Sequence, residues 1–175
     1  MTRQAGTGRY MDWIERNVTV AMVREDLNAV PQHRLPEGYH FKWYAPGDDE
    51  HWVAVHAAAD RYNTIDQALF EREFGRDVAR LKERQCFLCT DDQYVGNATA
   101  WFDHGFRGQE WGRIHWVGIV PEYQGRGLAK PLMSAVCDRL RELGHTRAYL
   151  YTSSARLPAI NLYFRFGFDP DVKTH

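Results

Sequence analysis

The stretch GIVPEYQGRGLAKPL, residues 118–132, places two glycines between a strand-like segment and an apolar-periodic run. Gly125 and Gly127 have no side chains, so an anionic group can approach the backbone closely at this point. Successive backbone N–H groups at the start of a helix form a cradle for anions, helped by the positive end of the helix dipole. The stretch therefore predicts a strand, a loop suited to an anion, and a helix.

Three interpretations of the loop are compared: two known phosphate-binding motifs and a plain turn. A Walker loop requires G-x-x-x-x-G-K-[ST], and GRGLAKP does not fit that spacing. A dinucleotide fingerprint requires a third glycine at the place where this chain has Lys130. A plain turn, in which the glycines only supply unusual backbone angles, stays open on local physics.

The segments that flank the loop predict the fold class. Apolar residues recur every three to four positions over 127–143, which indicates a helix with one buried face, and Gly144 is suited to ending it. Segments 85–90, 94–103 and 112–120 read as an antiparallel meander, and 146–152 as a strand that follows the helix. A strand joined to its neighbour through a long helix is usually a parallel partner. The expected class is α/β (α+β), with a mixed, mostly antiparallel sheet flanked by helices.

The N-terminal half is less regular. We expect a short helix near 10–16, a strand near 18–24, a strand over 39–45 and a helix beginning after Gly47. A further helical stretch covers roughly 65–82, and the final elements are a helix over 157–166 and a short strand after it. The predicted organisation is a partly ordered N-terminal extension, 1–38, followed by a single domain, 39–175.

Composition excludes several classes of protein. The chain has 175 residues, a net charge of −1 and a pI of about 6.7, which argues against a general nucleic-acid binder. No apolar run reaches the ~18 residues of a membrane helix, and the N-terminus does not resemble a secretion signal. Three cysteines favour a reducing, cytoplasmic location, and Cys86 and Cys89 point to opposite faces of a strand. Ordinary packing, and no metal, is expected for that pair.

Two motifs resemble the signature of the GNAT superfamily, the acyl-CoA-dependent N-acetyltransferases. The family pattern [RQ]-x-x-G-x-[GA] is similar to residues 124–129, and AINLYFRFGF, 159–168, is similar to A-I-x-L-Y-x-x-x-G-F. The resemblance implies the GNAT fold, in which two neighbouring strands splay apart and open a slot for the acyl-CoA. In this chain that slot would lie between 112–120 and 146–152.

The resemblance also implies which residues bind the donor, acetyl-CoA. The pyrophosphate of coenzyme A would lie on the backbone of Gln124, Gly125, Arg126, Gly127, Leu128 and Ala129. The pantetheine arm would run beside Val117, Gly118 and Ile119, and a glycine inside a strand independently suggests a close backbone approach. Arg156 stands where many members have an asparagine, so it could instead reach a cofactor phosphate or an acceptor carboxylate, and Asn161 could take over the cofactor contact.

Amide formation from a thioester needs a neutral amine and gains from a proton donor to the departing sulfur. Tyr163 matches the tyrosine that the family commonly uses as this donor, and a phenol stays protonated at pH 7. His115 is the expected base because its ordinary pKa suits the task, and Glu110 is the second candidate.

The predicted function is transfer of an acetyl group from acetyl-CoA to a primary amine of a small molecule or a peptide. Neither a nucleic acid nor a membrane is an expected partner, and a homodimer is left open. The alternative is a non-catalytic acyl-CoA-binding sensor or interaction module of the same fold. Two observations favour it: Arg156 stands where many members have an asparagine, and the base has two candidates.

Overall fold

A computed structural model describes residues 16–172, so the expected helix near 10–16 lies almost wholly outside the described residues. The strands are β1 (Thr19–Arg24), β2 (His40–Trp43), β3 (Gln85–Cys89), β4 (Tyr94–Asp103), β5 (Trp111–Ile119), β6 (Ala148–Ser153) and β7 (Asp169–Pro170). The helices are α1 (Asp48–Ala59), α2 (Gln67–Phe74), α3 (Val78–Arg84), α4 (Ala129–Glu142) and α5 (Leu157–Arg165).

All of these strands form one sheet in the order β2-β3-β4-β5-β6-β1-β7. Neighbouring strands are antiparallel except β5 and β6, which are joined through α4 and are parallel. The mixed, mostly antiparallel sheet expected from the sequence is therefore confirmed. β1 pairs with β6 along six residues, so the predicted division at residue 38 falls between strands of one sheet.

The parallel pair β5 and β6 is short. Their recorded pairs are Gly112 with Ala148 and Arg113 with Tyr149, whereas β5 continues to Ile119. Beyond Arg113 the edge of β5 that faces β6 has no strand partner in the described part of the chain. This fork confirms the predicted opening between the two strands.

Helices pack on both faces of the sheet because side chains alternate along each strand. Cys86 and Leu88 join a core with the buried face of α4, whereas Phe87 and Cys89 join a second core with α1, α2 and α3. All three cysteines are free and buried, and Cys86 and Cys89 face opposite sides of the sheet.

The predicted helix over 65–82 is wrong as a single element. Gly75 ends α2 with a φ of 71°, and Asp77 begins α3 by accepting a hydrogen bond from the backbone N–H of Arg80. The apolar spacing continues through both helices, so periodicity alone could not reveal the break. A glycine followed two residues later by an aspartate is the local signal for it.

Across residues 16–172, helices are too short or too polar to cross a bilayer. Within the same range, no group of three or more His, Cys, Asp or Glu side chains is placed to hold a metal ion. The chemistry of the candidate site is therefore described from its polar and titratable side chains.

Candidate active site

A β-bulge lies in the part of β5 that has no pairing with β6. Thr99 of β4 pairs with His115 and Asn97 pairs with Gly118, so one residue of β4 lies opposite two of β5. Trp116 lies in this bulge with a φ of 52°, a backbone conformation that is uncommon for a bulky residue. Strain of this kind concentrates at functional sites, which makes the bulge a candidate for one.

Gly118 follows the bulge and lies directly beneath α1. A Cβ atom at this position would stand 2.9 Å from Nδ1 of His56 and 3.4 Å from Cβ of Ala59. The first distance is shorter than real Cβ contacts, so only glycine lets helix and strand approach this closely.

The loop that follows β5 forms the expected cradle. Gly125 and Gly127 have φ values of 74° and 78°, and a Cβ atom built on either would meet nothing within 4 Å. The side chain of Gln124 fixes the loop by donating to the carbonyl of Ile119 at 2.8 Å. No side chain caps the start of α4, so its first N–H groups are available to an anion.

We call the cavity beside this cradle the loop groove. It has a volume of about 510 Å³, within the usual range for ligand pockets. Its lining comprises Val117, Gly118, Ile119, Tyr123, Gln124, Gly125, Gly127, Leu128, Ala129, Lys130, Pro158, Ala159, Asn161, Leu162, Tyr163 and Arg165. Lys130 and Arg165 add two cations that sequence reasoning did not assign to the site.

A second cavity, here called the charged cavity, opens on the same part of β5. Its volume is about 620 Å³. Titratable side chains from separate elements line it, namely His56, Asp60, Arg61, Glu73, Arg113, His115 and Arg156. Val117, Gly118, Ile119 and Tyr163 line both cavities, so the two cavities meet at the strand after the bulge and at one tyrosine.

Tyr163 projects from α5 to this junction and is only 7% exposed. No hydrogen bond joins its hydroxyl to another described residue. Burial raises the pKa of Tyr163 to about 12, while the nearby charge of Arg156 acts in the opposite direction. The hydroxyl is therefore protonated at neutral pH and has no protein acceptor there.

His115 forms a hydrogen-bonded cluster with α2. Its Nε2 lies 2.7 Å from Oε2 of Glu73, which also accepts from the indole of Trp116 at 3.2 Å. The hydrogen bond with His115 lowers the pKa of Glu73 to about 2. Burial lowers the pKa of His115 to about 4, although the Glu73 carboxylate opposes this effect. At pH 7 a neutral His115 donates from Nε2 to ionised Glu73, which leaves Nδ1 as an acceptor.

His56 is a second buried imidazole beside the bulge, to which the sequence gave no role. The amide nitrogen of Asn97 donates to the carbonyl of Cys86, so its oxygen accepts from His56 Nε2 at 3.1 Å. Burial lowers the pKa of His56 to about 4, so the ring is neutral and Nδ1 faces Gly118. Glu73 lies one turn from Leu69 and Phe70 on the mostly apolar inner face of α2, and His56 lies one turn from Trp52 on that of α1. Such a polar residue on an apolar face is the signal that could have found both.

The remaining predicted residues lie in separate environments. Asn161 lines the loop groove, whereas the Arg126 side chain turns away to donate to the carbonyl of Glu122 at 2.9 Å. Arg156 lines the charged cavity and not the loop groove, and it pairs with Asp60 at 2.7 Å. Glu110 lies outside both cavities, 2.9 Å from Nδ1 of His104.

A family model described as "Acetyltransferase (GNAT) family" matches residues 21–168. Among curated proteins, a mycothiol acetyltransferase from Pseudarthrobacter chlorophenolicus is 34% identical over 82% of this chain and 47% of its own length. A mycothiol acetyltransferase from Streptomyces coelicolor is 31% identical over 79% of this chain and 45% of its own length. The chain thus spans about half the length of these curated relatives.

Solved structures show the same fold at low sequence identity. A GCN5-related N-acetyltransferase from Sphaerobacter thermophilus superimposes with a TM-score of 0.73 at 20% identity, covering 97% of this chain and 55% of that one. The ribosomal-protein-S18-alanine N-acetyltransferase from Escherichia coli gives a TM-score of 0.61 at 17% identity, covering 75% of this chain and 77% of that one. At these identities the likeness concerns the fold alone.

Proposed function

The chain belongs to the GNAT family of acetyltransferases, and from that premise we propose that it transfers an acetyl group from acetyl-CoA to a primary amine. The observation that carries the proposal is the meeting of two cavities at one tyrosine. The loop groove has the features that a donor needs, the charged cavity has those that an amine needs, and Tyr163 lines both. Acceptor and thioester can therefore approach each other at Gly118.

The loop groove suits the phosphates of coenzyme A. Gly125 and Gly127 leave open space over their backbone, and the uncapped start of α4 presents N–H groups. Lys130 and Arg165 line the groove, and neither has a recorded ion pair among residues 16–172. Three features of different kinds therefore favour an anion in one place.

The free edge of β5 suits the pantetheine arm. Backbone groups of Val117, Gly118 and Ile119 border the loop groove where β6 has diverged. An extended chain with amide groups can add to such an edge through main-chain hydrogen bonds. Bound in this way, acetyl-CoA supplies an activated acyl group next to the bulge.

Side chains of this protein then accept and donate the protons of the reaction. The amine nitrogen forms a bond to the acyl carbon, and the carbon–sulfur bond breaks with its electron pair going to sulfur. His115, held by Glu73, accepts the proton that the amine loses, directly or through water. Burial lowers the pKa of His115 to about 4, against the ordinary value expected from the sequence, so the ring passes this proton on to solvent and does not retain it at pH 7. Tyr163 donates its hydroxyl proton, or a hydrogen bond, to the departing sulfur. His56 and Asn97 hold α1 against Gly118 and so maintain the shape of the junction.

The test is a broad screen of amines with acetyl-CoA, read by release of the coenzyme A thiol. The names of the curated relatives make mycothiol-related amines the first acceptors to include, followed by other small amines and peptides with a free N-terminus. We expect thiol release that depends on one class of amine. The alternative, a non-catalytic acyl-CoA sensor, predicts tight acetyl-CoA binding and no thiol release with any amine.

A further inference from the structure

Arg113 is a half-buried cation whose guanidinium makes no hydrogen bond or ion pair with the described residues. It lies on β5 at the last residue that pairs with β6, where the two strands diverge. Its Nε is buried without a hydrogen-bond partner, and no ion pair or side-chain hydrogen bond to Arg113 is recorded in the described part of the chain. A buried guanidinium nitrogen without a partner is costly, so a ligand is a physical reason to retain one.

The other arginines of the charged cavity are already engaged. Arg156 pairs with Asp60 at 2.7 Å, and Arg61 donates to the hydroxyl of Tyr62 at 2.8 Å. Arg113 instead lies beside two rings, with its guanidinium carbon 5.7 Å from the centroid of Tyr149 and 5.6 Å from that of Tyr151. Aromatic contacts orient the planar group without satisfying its hydrogen-bond donors.

The charged cavity also contains an anionic side chain, Glu73, which is hydrogen-bonded to His115. His115 follows Arg113 at i+2 and so shares its face of β5, at a spacing of roughly 7 Å. Glu73 is held at His115 through its Oε2 atom, whereas Oε1 has no recorded partner among the described residues. The charge of Arg113 acts on the carboxylates of Glu73 and Asp103 without a hydrogen bond to either. The cavity therefore offers a guanidinium that makes no hydrogen bond within the described residues and a carboxylate with one free oxygen, at separate points.

We propose that the acceptor is an amino-acid-type zwitterion, whose carboxylate binds Arg113 and whose primary amine binds at Glu73 and His115. This inference rests on the proposed function and names its substrate class. A carboxylate matches the guanidinium in a bidentate pair, which adds both strength and direction. The ammonium group is attracted to Glu73 and loses one proton to water, so that a neutral amine meets the thioester beside Gly118. His115 then accepts the second proton, which the nitrogen loses as the amide forms.

The experiment compares acceptors that differ at the carboxylate, with kcat/KM expressed per concentration of neutral amine because the carboxamide also lowers the pKa of the amine. Free amino acids, together with β-alanine, are paired with their carboxamides, and kcat/KM is measured for each pair. The wild-type chain should prefer the acid at least tenfold, and Arg113→Gln should bring the ratio of acid to amide to about one. Arg113→Lys, which keeps the charge but cannot form a bidentate pair with a carboxylate, should retain part of the preference. Arg141→Gln, at an arginine that pairs with Asp138 and lines neither cavity, is the control and should keep the wild-type ratio.

Binding is measured separately, so that the inference does not depend on turnover. Isothermal titration of the same acids and amides, with coenzyme A present, gives their affinities. Acids that bind no better than amides, or a preference that survives Arg113→Gln, would overturn the inference. Amine-dependent thiol release without any preference for acids would overturn it while leaving the proposed function intact. Acid-selective binding without thiol release would support the inference and contradict the proposed function.

Discussion

At the scale of single residues, Tyr163 places a protonated hydroxyl at the junction of the two cavities. Removal of this one oxygen tests its role. Tyr163→Phe removes the hydroxyl and keeps the ring against Phe168. We expect kcat to fall by about 100-fold, the range for a positioned acid, with acetyl-CoA affinity unchanged. Steady-state kinetics and equilibrium binding provide the check. Tyr44→Phe, a buried tyrosine outside both cavities, is the control. Wild-type kcat in Tyr163→Phe would assign the tyrosine to packing.

The pair of Glu73 and His115 makes a second residue-scale prediction. Because the carboxylate orients the imidazole, Glu73→Gln and His115→Gln should each lower kcat/KM for the amine by roughly 10–100-fold. The double variant should be little worse than either single one, since the two act as a unit. Glu71→Gln, on the same helix but paired with exposed Arg76, should behave as wild type. Additive losses would show that the two side chains act independently.

Buried neutral histidines make stability depend on pH. The pKa of His56 is lowered by burial to about 4, whereas an unfolded histidine has a pKa near 6.5. Between these values the unfolded state binds more protons, so the free energy of unfolding falls as pH falls. We expect Tm to drop by on the order of 5 °C between about pH 7 and pH 4.5. His56→Gln should flatten this slope in thermal melts. A wild-type slope in the variant would contradict a neutral His56.

At the scale of elements, the start of α4 and the loop before it should act as one anion site. Gly127→Asp places a carboxylate at the cradle, so acetyl-CoA affinity should fall at least tenfold, which corresponds to ~1.4 kcal/mol. Gly127→Asn carries the same backbone strain at a φ of 78° but no charge, and it should lose much less affinity. Isothermal titration of folded variants provides the check. Equal losses in Asp and Asn would show that conformation, and not charge, explains the effect.

The bulge in β5 links the elements to the site. Trp116 is the residue of positive φ in the bulge, and it lies in the segment of β5 beyond Arg113 that has no pairing with β6. The Trp116 indole donates to Glu73 and thereby connects α2 to the strand. The bulge therefore lies where the groove opens and next to the candidate base.

At the scale of the whole molecule, the sequence predicts the residues that line the loop groove better than those that line the charged cavity. Gly125, Gly127 and Tyr163 lie in local motifs whose geometry depends on one strand–loop–helix unit and one helix. Glu73 and His56 reach the site only because α1 and α2 pack on a strand far along the chain, and no local pattern encodes that packing. The positive φ of Trp116 is likewise a tertiary effect, because a bulky residue has no intrinsic preference for it.

The contacts of Arg156 likewise could not be predicted from local sequence patterns. Its place before the second motif suggested a contact with a cofactor phosphate or an acceptor carboxylate. The structure pairs it with Asp60 at the end of α1, a partner nearly a hundred positions away that sequence spacing could not identify. Its role toward either substrate stays a prediction, whereas Arg113, which no motif marks, has a buried Nε without a hydrogen-bond partner among the described residues.

Transfer of an isotopic label from the acetyl group of acetyl-CoA to an amine tests the central claim most directly. The wild-type chain should convert the label into an amide in equal amount to the thiol released, and Gly127→Asp should slow this at limiting acetyl-CoA. Thiol release without a labelled amide would indicate hydrolysis of the thioester. That result, or tight acetyl-CoA binding with the label retained in the thioester for every amine tested, would contradict the account.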